Sequence, residues 1–285
     1  MPPLERLPLH LFEYICQYVP RHSLASLALA SRFCATAATP RRFSRIKLTI
    51  RDKKKLRDDL QQWDAVLGCG NRFLHVRRVF VFGFMSDSDE RSEADHQSYL
   101  LSLAADGNDG SDGDTDGNGD NDDSHVRPLI FALAGPPSTE THKRAQHEAW
   151  LPFASFLGQL PALKDLVYAC THQVSACLLA ALHKHHPRSR LHVRTFSLRS
   201  LYQKSDQLHD IDPDELALAT SPCLYSIHAT CEDFDSYGRL SFNMEAIESM
   251  VSGAAPSLRR VHLHHSSPLI TTGRLPVIHS HWGRW

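Results

Sequence analysis

The chain has 285 residues, 42% hydrophobic and 22% charged, a composition that suits a globular protein with one large domain or a small one joined to a larger one. Its formal charge of −1 conceals a segregation, since thirteen acidic residues and one Arg lie between Ser86 and Ser124, a local −12 that leaves +11 for the remainder. No signal-peptide pattern, no bilayer-length apolar run and no Cys-x-x-Cys pair occurs; the seven scattered cysteines read as reduced thiols, and the expected location is the cytoplasm and/or the nucleus.

The first elements are helical. After Pro8, the residues Leu11, Ile15, Tyr18 and Val19 fall at i, i+4, i+7 and i+8 and predict one apolar stripe, widened by Tyr14 and ended by Pro20. Ser23 is the expected cap of a second helix, in which Leu24, Leu27 and the stretch Ala30 to Phe33 continue the surface. Two short apolar helices bury little between themselves, so a partner is implied; the alternative is a cap packed on the next element of the chain.

Beyond them a triad of apolar residues, spaced first, fourth and sixth, recurs. It reads Phe43, Ile46, Leu48; Val76, Val79, Val81; Leu163, Leu166, Tyr168; Val193, Phe196, Leu198; Leu224, Ile227, Ala229; and Leu258, Val261, Leu263. First members are 33, 87, 30, 31 and 34 residues apart, and the long step holds the acidic tract, so the underlying period is about 30 to 34 residues. A further triad at Val126, Leu129 and Phe131 is demoted by Pro128. The last two members of each triad sit two apart, as one face of a strand requires.

Helices are expected between the triads. Leu56, Leu60, Trp63 and Leu67 mark one, stopping near Gly68; Val174, Cys177, Leu178, Ala181 and Leu182 mark another, ended by Pro187. Asp212, Pro213 and Glu215 form a helix start, and Met244, Ile247 and Val251 line a helix stopped at Gly253. The expected fold is thus an α+β or α/β repeat: a short helical segment over residues 1–42, first strand–helix units over 43–85, the acidic tract over 86–124, and an irregular strand–helix solenoid over 125–285. A three-layer α/β domain is the alternative, because βαβ units also alternate strand and helix. Beyond Leu263 the sequence holds neither a full helix nor a polar cap, so the chain is expected to be shortened at its C-terminus or to end against a partner.

Within the acidic tract, residues 106–123 contain only Asp, Gly, Asn, Ser and Thr, and nothing there offsets the entropy of ordering. Asp112, Asp114, Asp116, Gly117, Asp120 and Asp123 match the positions of a calcium loop, but such spacing arises easily in an Asp/Gly tract and the twelfth position lacks the bidentate Glu. Disorder is the expectation, with competition for a basic face of the folded part as its regulatory reading.

The N-terminal residues resemble the F-box. The pattern is carried by Leu7-Pro8, Leu11 and Ile15 on the first helix, Tyr18-Val19 before the turn, Ser23-Leu24 and Leu27 on the second, then Ala30-Ser31-Arg32-Phe33, where Ala30 and Phe33 replace the more frequent Val and Trp. The strand–helix segment is similar to a degenerate leucine-rich repeat, and the combination looks like the F-box proteins abundant in fungi. The resemblance implies docking of these residues on the Skp adaptor and, through it, on a cullin. It makes the chain a non-catalytic subunit of an SCF-type ubiquitin ligase whose repeat domain selects a protein substrate. An interaction scaffold outside a ligase is the other reading.

Alternation along the strands selects the substrate-facing residues as Arg45, Lys47, Thr49; Arg78, Phe80, Phe82; Asp165, Val167, Ala169; Thr195, Ser197, Arg199; Ser226, His228, Thr230; and Arg260, His262, His264. Of these Arg45, Lys47, Arg78, Phe80, Arg199, His228, Arg260 and His262 are the candidates for an acidic or phosphorylated substrate. A solvated surface rich in Arg is the competing account, and nucleic acid is disfavoured. The clusters His183, His185, His186 and His262, His264, His265 lack the companions of a metal site, so no metal, cofactor or catalytic constellation is expected, and no membrane partner.

Overall fold

The computed structural model describes residues 6–86, 140–170, 172–196, 212–230 and 243–264. The calcium-like spacing, the triad at Val126, Arg199 and the run beyond residue 264 lie outside the described residues. Three helices come first: α1 (Leu9–Tyr18), α2 (Arg21–Ala30) and α3 (Arg32–Arg42). Pro8 and Pro20 stand before α1 and α2, holding the entering chain extended at ψ 141° and 139°. The second helix does not continue to Phe33 as expected. Ser31 turns extended instead, and its Oγ accepts from Cys34 N at 3.2 Å, capping α3 as a separate helix.

This third helix gives the trio a core of its own. Phe12, Cys16, Leu24, Cys34, Ala37 and Ala38 are buried together, and Phe33 stacks on Phe12 with ring centroids 5.3 Å apart. Arg21 ties the trio to the start of the sheet, donating from Nη2 to Arg41 O at 2.9 Å and to Ser44 Oγ at 2.6 Å, while Ser44 O accepts from Arg77 N and Arg78 N.

The rest of the described chain alternates strand and helix: β1 (Arg45–Asp52), α4 (Lys53–Gly68), β2 (Arg78–Ser86), α5 (Glu140–Leu157), β3 (Asp165–Cys170), α6 (Ala176–His185), β4 (Arg190–Phe196), α7 (Pro213–Ala219), β5 (Leu224–Thr230), α8 (Asn243–Ser249) and β6 (Arg260–His264). Among the described residues this makes a mixed α and β architecture of eight α-helices and one six-stranded, wholly parallel sheet in the order β1-β2-β3-β4-β5-β6. Consecutive strands are neighbours, so each helix is a local crossover.

Apolar rows run across the sheet. Leu48, Val81, Tyr168, Val193, Ile227 and Val261 form one, and Ile46, Val79, Leu166, Leu191 and Leu224 another. The register corrects the fourth triad. Leu166 pairs with Leu191, 25 residues on, and Val193 pairs with Tyr168 rather than starting a new unit. Two irregularities interrupt the pairing of β4 with β5. Leu224 and Ser226 oppose the adjacent Leu191 and His192, which leaves Tyr225 as an extra residue, and a further one between Val193 and Phe196 returns Phe196 to the buried face opposite Ala229.

The helices share one core with that face. Leu56, Leu60 and Leu67 of α4, Leu178, Leu179 and Leu182 of α6, Leu218 of α7 and Ile247 of α8 all belong to it, whereas Val167 and Ala169 of the opposite face, though buried, lie outside it. Helix α5 is an element the apolar spacing did not lead one to expect. It supplies Trp150, Phe153, Phe156 and Leu157 to the core, and Trp150 stands 5.7 Å from the Tyr168 ring. Asp52 caps α4 through Lys55 N at 2.7 Å, and Asp212 caps α7 through Asp214 N at 2.9 Å with Pro213 in the first turn. Along α8 and the turn that follows it, Ala246, Ile247 and Met250 are buried, whereas Met244 and Val251 are exposed; the chain widens over Met250–Ala254 and turns at Gly253 with φ 138°.

Candidate functional sites on the first helix and the polar sheet face

Helix α1 is apolar on two sides. Phe12 and Cys16 point into the core of the trio, and Leu11, Ile15 and Tyr18 point away from it, 45%, 41% and 63% exposed. Tyr14 sits beside them with its Oη 2.6 Å from that of Tyr18, and Leu29 of α2 is 87% exposed. The other residues of the expected docking set are distributed differently. Leu24 is fully buried; Leu7, Val19, Leu27 and Phe33 pack half-buried against the trio's core; Pro8, Ala30 and Arg32 are exposed; and Ser31 caps α3.

The polar sheet face brings together residues from four strands. Asp165 at the start of β3 is 4% exposed and binds both neighbours: its Oδ1 accepts from Arg190 Nε at 2.6 Å, and its Oδ2 lies 3.4 Å from Arg78 Nε and Nη2. His192 Nε2 donates to Asp165 Oδ1 at 3.3 Å, and its Nδ1 lies 2.8 Å from Ser226 Oγ. Burial by itself would raise the Asp165 carboxyl. Hydrogen bonds from His192 and Arg190 and the charges of Arg78 and Arg190 outweigh that and hold it well below the usual carboxylate range. The same carboxylate pushes the Arg190 guanidinium above its ordinary value.

The line Asp165–His192–Ser226 has the composition of a nucleophilic triad, yet Ser226 is 0% exposed, so its Oγ meets no substrate in this arrangement. It is a polar brace across β3, β4 and β5. Towards the C-terminal ends of β4 and β5, Arg194 Nη1 bonds His228 Nε2, and the His228 ring stacks on His262 at 4.1 Å. At the other end Tyr225 has Arg190 and Arg260 over its ring, 5.1 and 5.7 Å from the centroid, and His192 against its edge at 5.4 Å.

Lys47 is exposed and Arg45, Phe80, Arg260 and His262 are half-buried on this face, with the Phe80 and Phe82 rings stacked at 5.9 Å and the Arg78 guanidinium 5.9 Å from the Phe80 centroid. His228 is buried. Arg190, His192, Arg194 and Tyr225 also belong to this face, although none is among the residues expected there. The alternation in "RLHVRTF" holds the signal for the first three, but anchoring the unit on Val193 displaced it onto Thr195, Ser197 and Arg199. Thr195 instead bonds Cys170 O.

The first histidine cluster is tied into the packing residue by residue. His186 donates from Nε2 to Leu157 O at 2.7 Å, His183 Nε2 lies 2.8 Å from Ser221 Oγ, and His185 is exposed. Among the described residues no group of three His, Cys, Asp or Glu is placed to hold a metal ion, and no helix is long and apolar enough to cross a membrane. No model of a known protein family matches the chain, and no curated protein sequence matches it.

Proposed function

We propose that this chain is a non-catalytic substrate-recognition subunit of an SCF-type ubiquitin ligase. In this reading α1 to α3 form an F-box that docks on the Skp adaptor and, through it, on a cullin, and the strand–helix array is an irregular leucine-rich-repeat-like solenoid that presents a protein substrate for ubiquitination. The observation that carries the reading is the doubled apolar character of α1. One stripe already fills a core, so Leu11, Ile15 and Tyr18 are surplus to the trio's own folding and suit a helical partner. The sequential parallel order of the strands and their single helix-packed core support the solenoid reading. The bonds from Arg21 to Arg41 and Ser44 would hold the docking helices rigidly to the first strand, which a subunit that positions its substrate needs.

The test is co-purification of the full chain with the Skp adaptor, beside a Leu11→Asp, Ile15→Asp double variant. Stoichiometric capture, lost in a variant that stays folded, is expected. A folded wild type that captures no adaptor makes the trio an end cap of the repeat array and puts the interaction scaffold in the place of the ligase subunit.

A further inference from the structure

We infer that Arg194, His228 and His262 form an acid-sensitive clasp across β4, β5 and β6, closed while His228 is neutral and opened by its protonation, so that a fall in pH loosens this end of the sheet and leaves β1 to β3 in place. The clasp does not depend on the ligase reading. Arg194 and His228 are both 8% exposed, and Arg194 Nη1 bonds His228 Nε2. A guanidinium has donors only, so His228 Nε2 is the acceptor and carries no proton, which leaves the single ring proton on Nδ1. Whatever else either side chain touches, this bond exists only with the neutral ring. A second proton has to go on Nε2, where it removes the acceptor and sets two buried cations against each other.

The His262 ring adds to the same response. It lies opposite His228 in the register, with ring centroids 4.1 Å apart and planes inclined by 16°. Two neutral rings stack at that distance, and two imidazolium rings repel. The titratable and charged groups on the described strands beside His228 are Arg190, His192 and Arg194 of β4 and Arg260, His262 and His264 of β6, while β3 brings the apolar Val167 and Ala169 to this end. Among the described residues of β3 to β6 the only carboxylate is Asp165, at the opposite end, bound to Arg78, Arg190 and His192. Acid spares that end. A proton added to His192 Nδ1 meets the Ser226 hydroxyl, which then accepts, while Nε2 goes on donating to Asp165. Asp165 itself stays ionised, because its hydrogen bonds and the neighbouring guanidiniums hold it well below the usual carboxylate range.

Histidine is confined to this end. Strands β1, β2 and β3 contain none, whereas His192 lies on β4, His228 on β5, and His262 and His264 on β6. The imidazole range, near about pH 6.5, therefore acts on the last three strands alone. The sign follows from the bond. An unfolded ring takes up its proton near about pH 6.5 and the clasped ring does not, so the contribution of the clasp is complete above that value and is lost as pH falls below it.

The experiment uses the full chain. Proton–nitrogen correlation of the histidine rings at about pH 7.5 should show His228 protonated on Nδ1 and bare on Nε2. Amide exchange in β5 and β6, corrected for its intrinsic pH dependence, should quicken about eightfold between about pH 7 and about pH 5.5, the increase given by one ring of ordinary affinity that is protonated only in the open form. Over the same interval the amides of β1 and β3 should change less than about twofold. Neither measurement needs a substitution. His228→Gln supplies an amide oxygen that accepts from Arg194 at any pH, so a folded chain carrying it should lose the response. A proton on His228 Nε2 at about pH 7.5, exchange in β5 and β6 that ignores pH, quickening spread evenly over the sheet, or a folded His228→Gln chain that keeps the response overturns the inference.

Discussion

Replacing Asp165 by Asn keeps the shape of the side chain and removes the charge on which Arg78, Arg190 and His192 converge. Stripping one partner from a buried ion pair costs about 3–5 kcal/mol. Here the Arg190 and Arg78 side chains are 39% and 29% exposed and can turn towards water, and the amide oxygen still accepts one bond. The expected loss is therefore about 2 kcal/mol, or roughly 0.7–1 M in urea midpoint for an m-value of about 2–3 kcal/mol/M.

The pH dependence has a defined direction. The folded carboxyl ionises well below the usual range, so its contribution is fully present above the unfolded value of about 4 and is lost as pH falls through the lower folded value. Urea midpoints of wild type and Asp165→Asn should run parallel from about pH 8 to pH 5 and converge below about pH 4. An Asn variant as stable as the wild type at neutral pH, or a gap that persists unchanged to about pH 3, would refute the view that Asp165 is the counter-ion of this face.

Single positions elsewhere give three further outcomes. Gly83 has φ 116° and a Cβ added there would stand 2.1 Å from Ile50 O, so Gly83→Ala should force β1 and β2 apart and cost at least about 2 kcal/mol in urea melts. Phe12→Ala empties the small core of the trio and should lose about 3–5 kcal/mol of stability in that unit, seen as early exchange of the α1 amides, whereas Leu11→Asp leaves those amides protected. Burial pushes the thiols of Cys16, Cys170, Cys177 and Cys223 up, so a thiol reagent at about pH 8 should modify Cys69, which is exposed, before these four, and should reach them only on unfolding.

The period of apolar residues was legible wherever a strand obeys simple alternation. Ile46 and Leu48, Val79 and Val81, and Leu166 and Tyr168 are both the expected pairs and the observed neighbours, because side chains two apart share a face whatever the partner strand does. The helix start at Asp212 was legible for a similar reason, since a cap is a bond within three residues. The break at Ser31 was not, because Leu27 to Phe33 reads equally as one helix or as two. Helix α5, with Trp150, Phe153 and Phe156, was not legible either, because Pro152 interrupts its apolar spacing.

Sequence alone thus determined the alternation of strand and helix, the apolar stripe on the first helix and the positive sign of the chain outside the acidic tract. These depend on spacing along the chain and on counting charge. Tertiary structure decided which residues meet. Asp165 finds Arg190 and His192 25 and 27 residues away and Arg78 87 residues away, and Tyr225 comes between Arg190 and Arg260 only because β5 carries one residue too many opposite β4. A register shift of that kind leaves the apolar rows intact and moves the polar ones, since burial constrains the first and only cross-strand contact constrains the second.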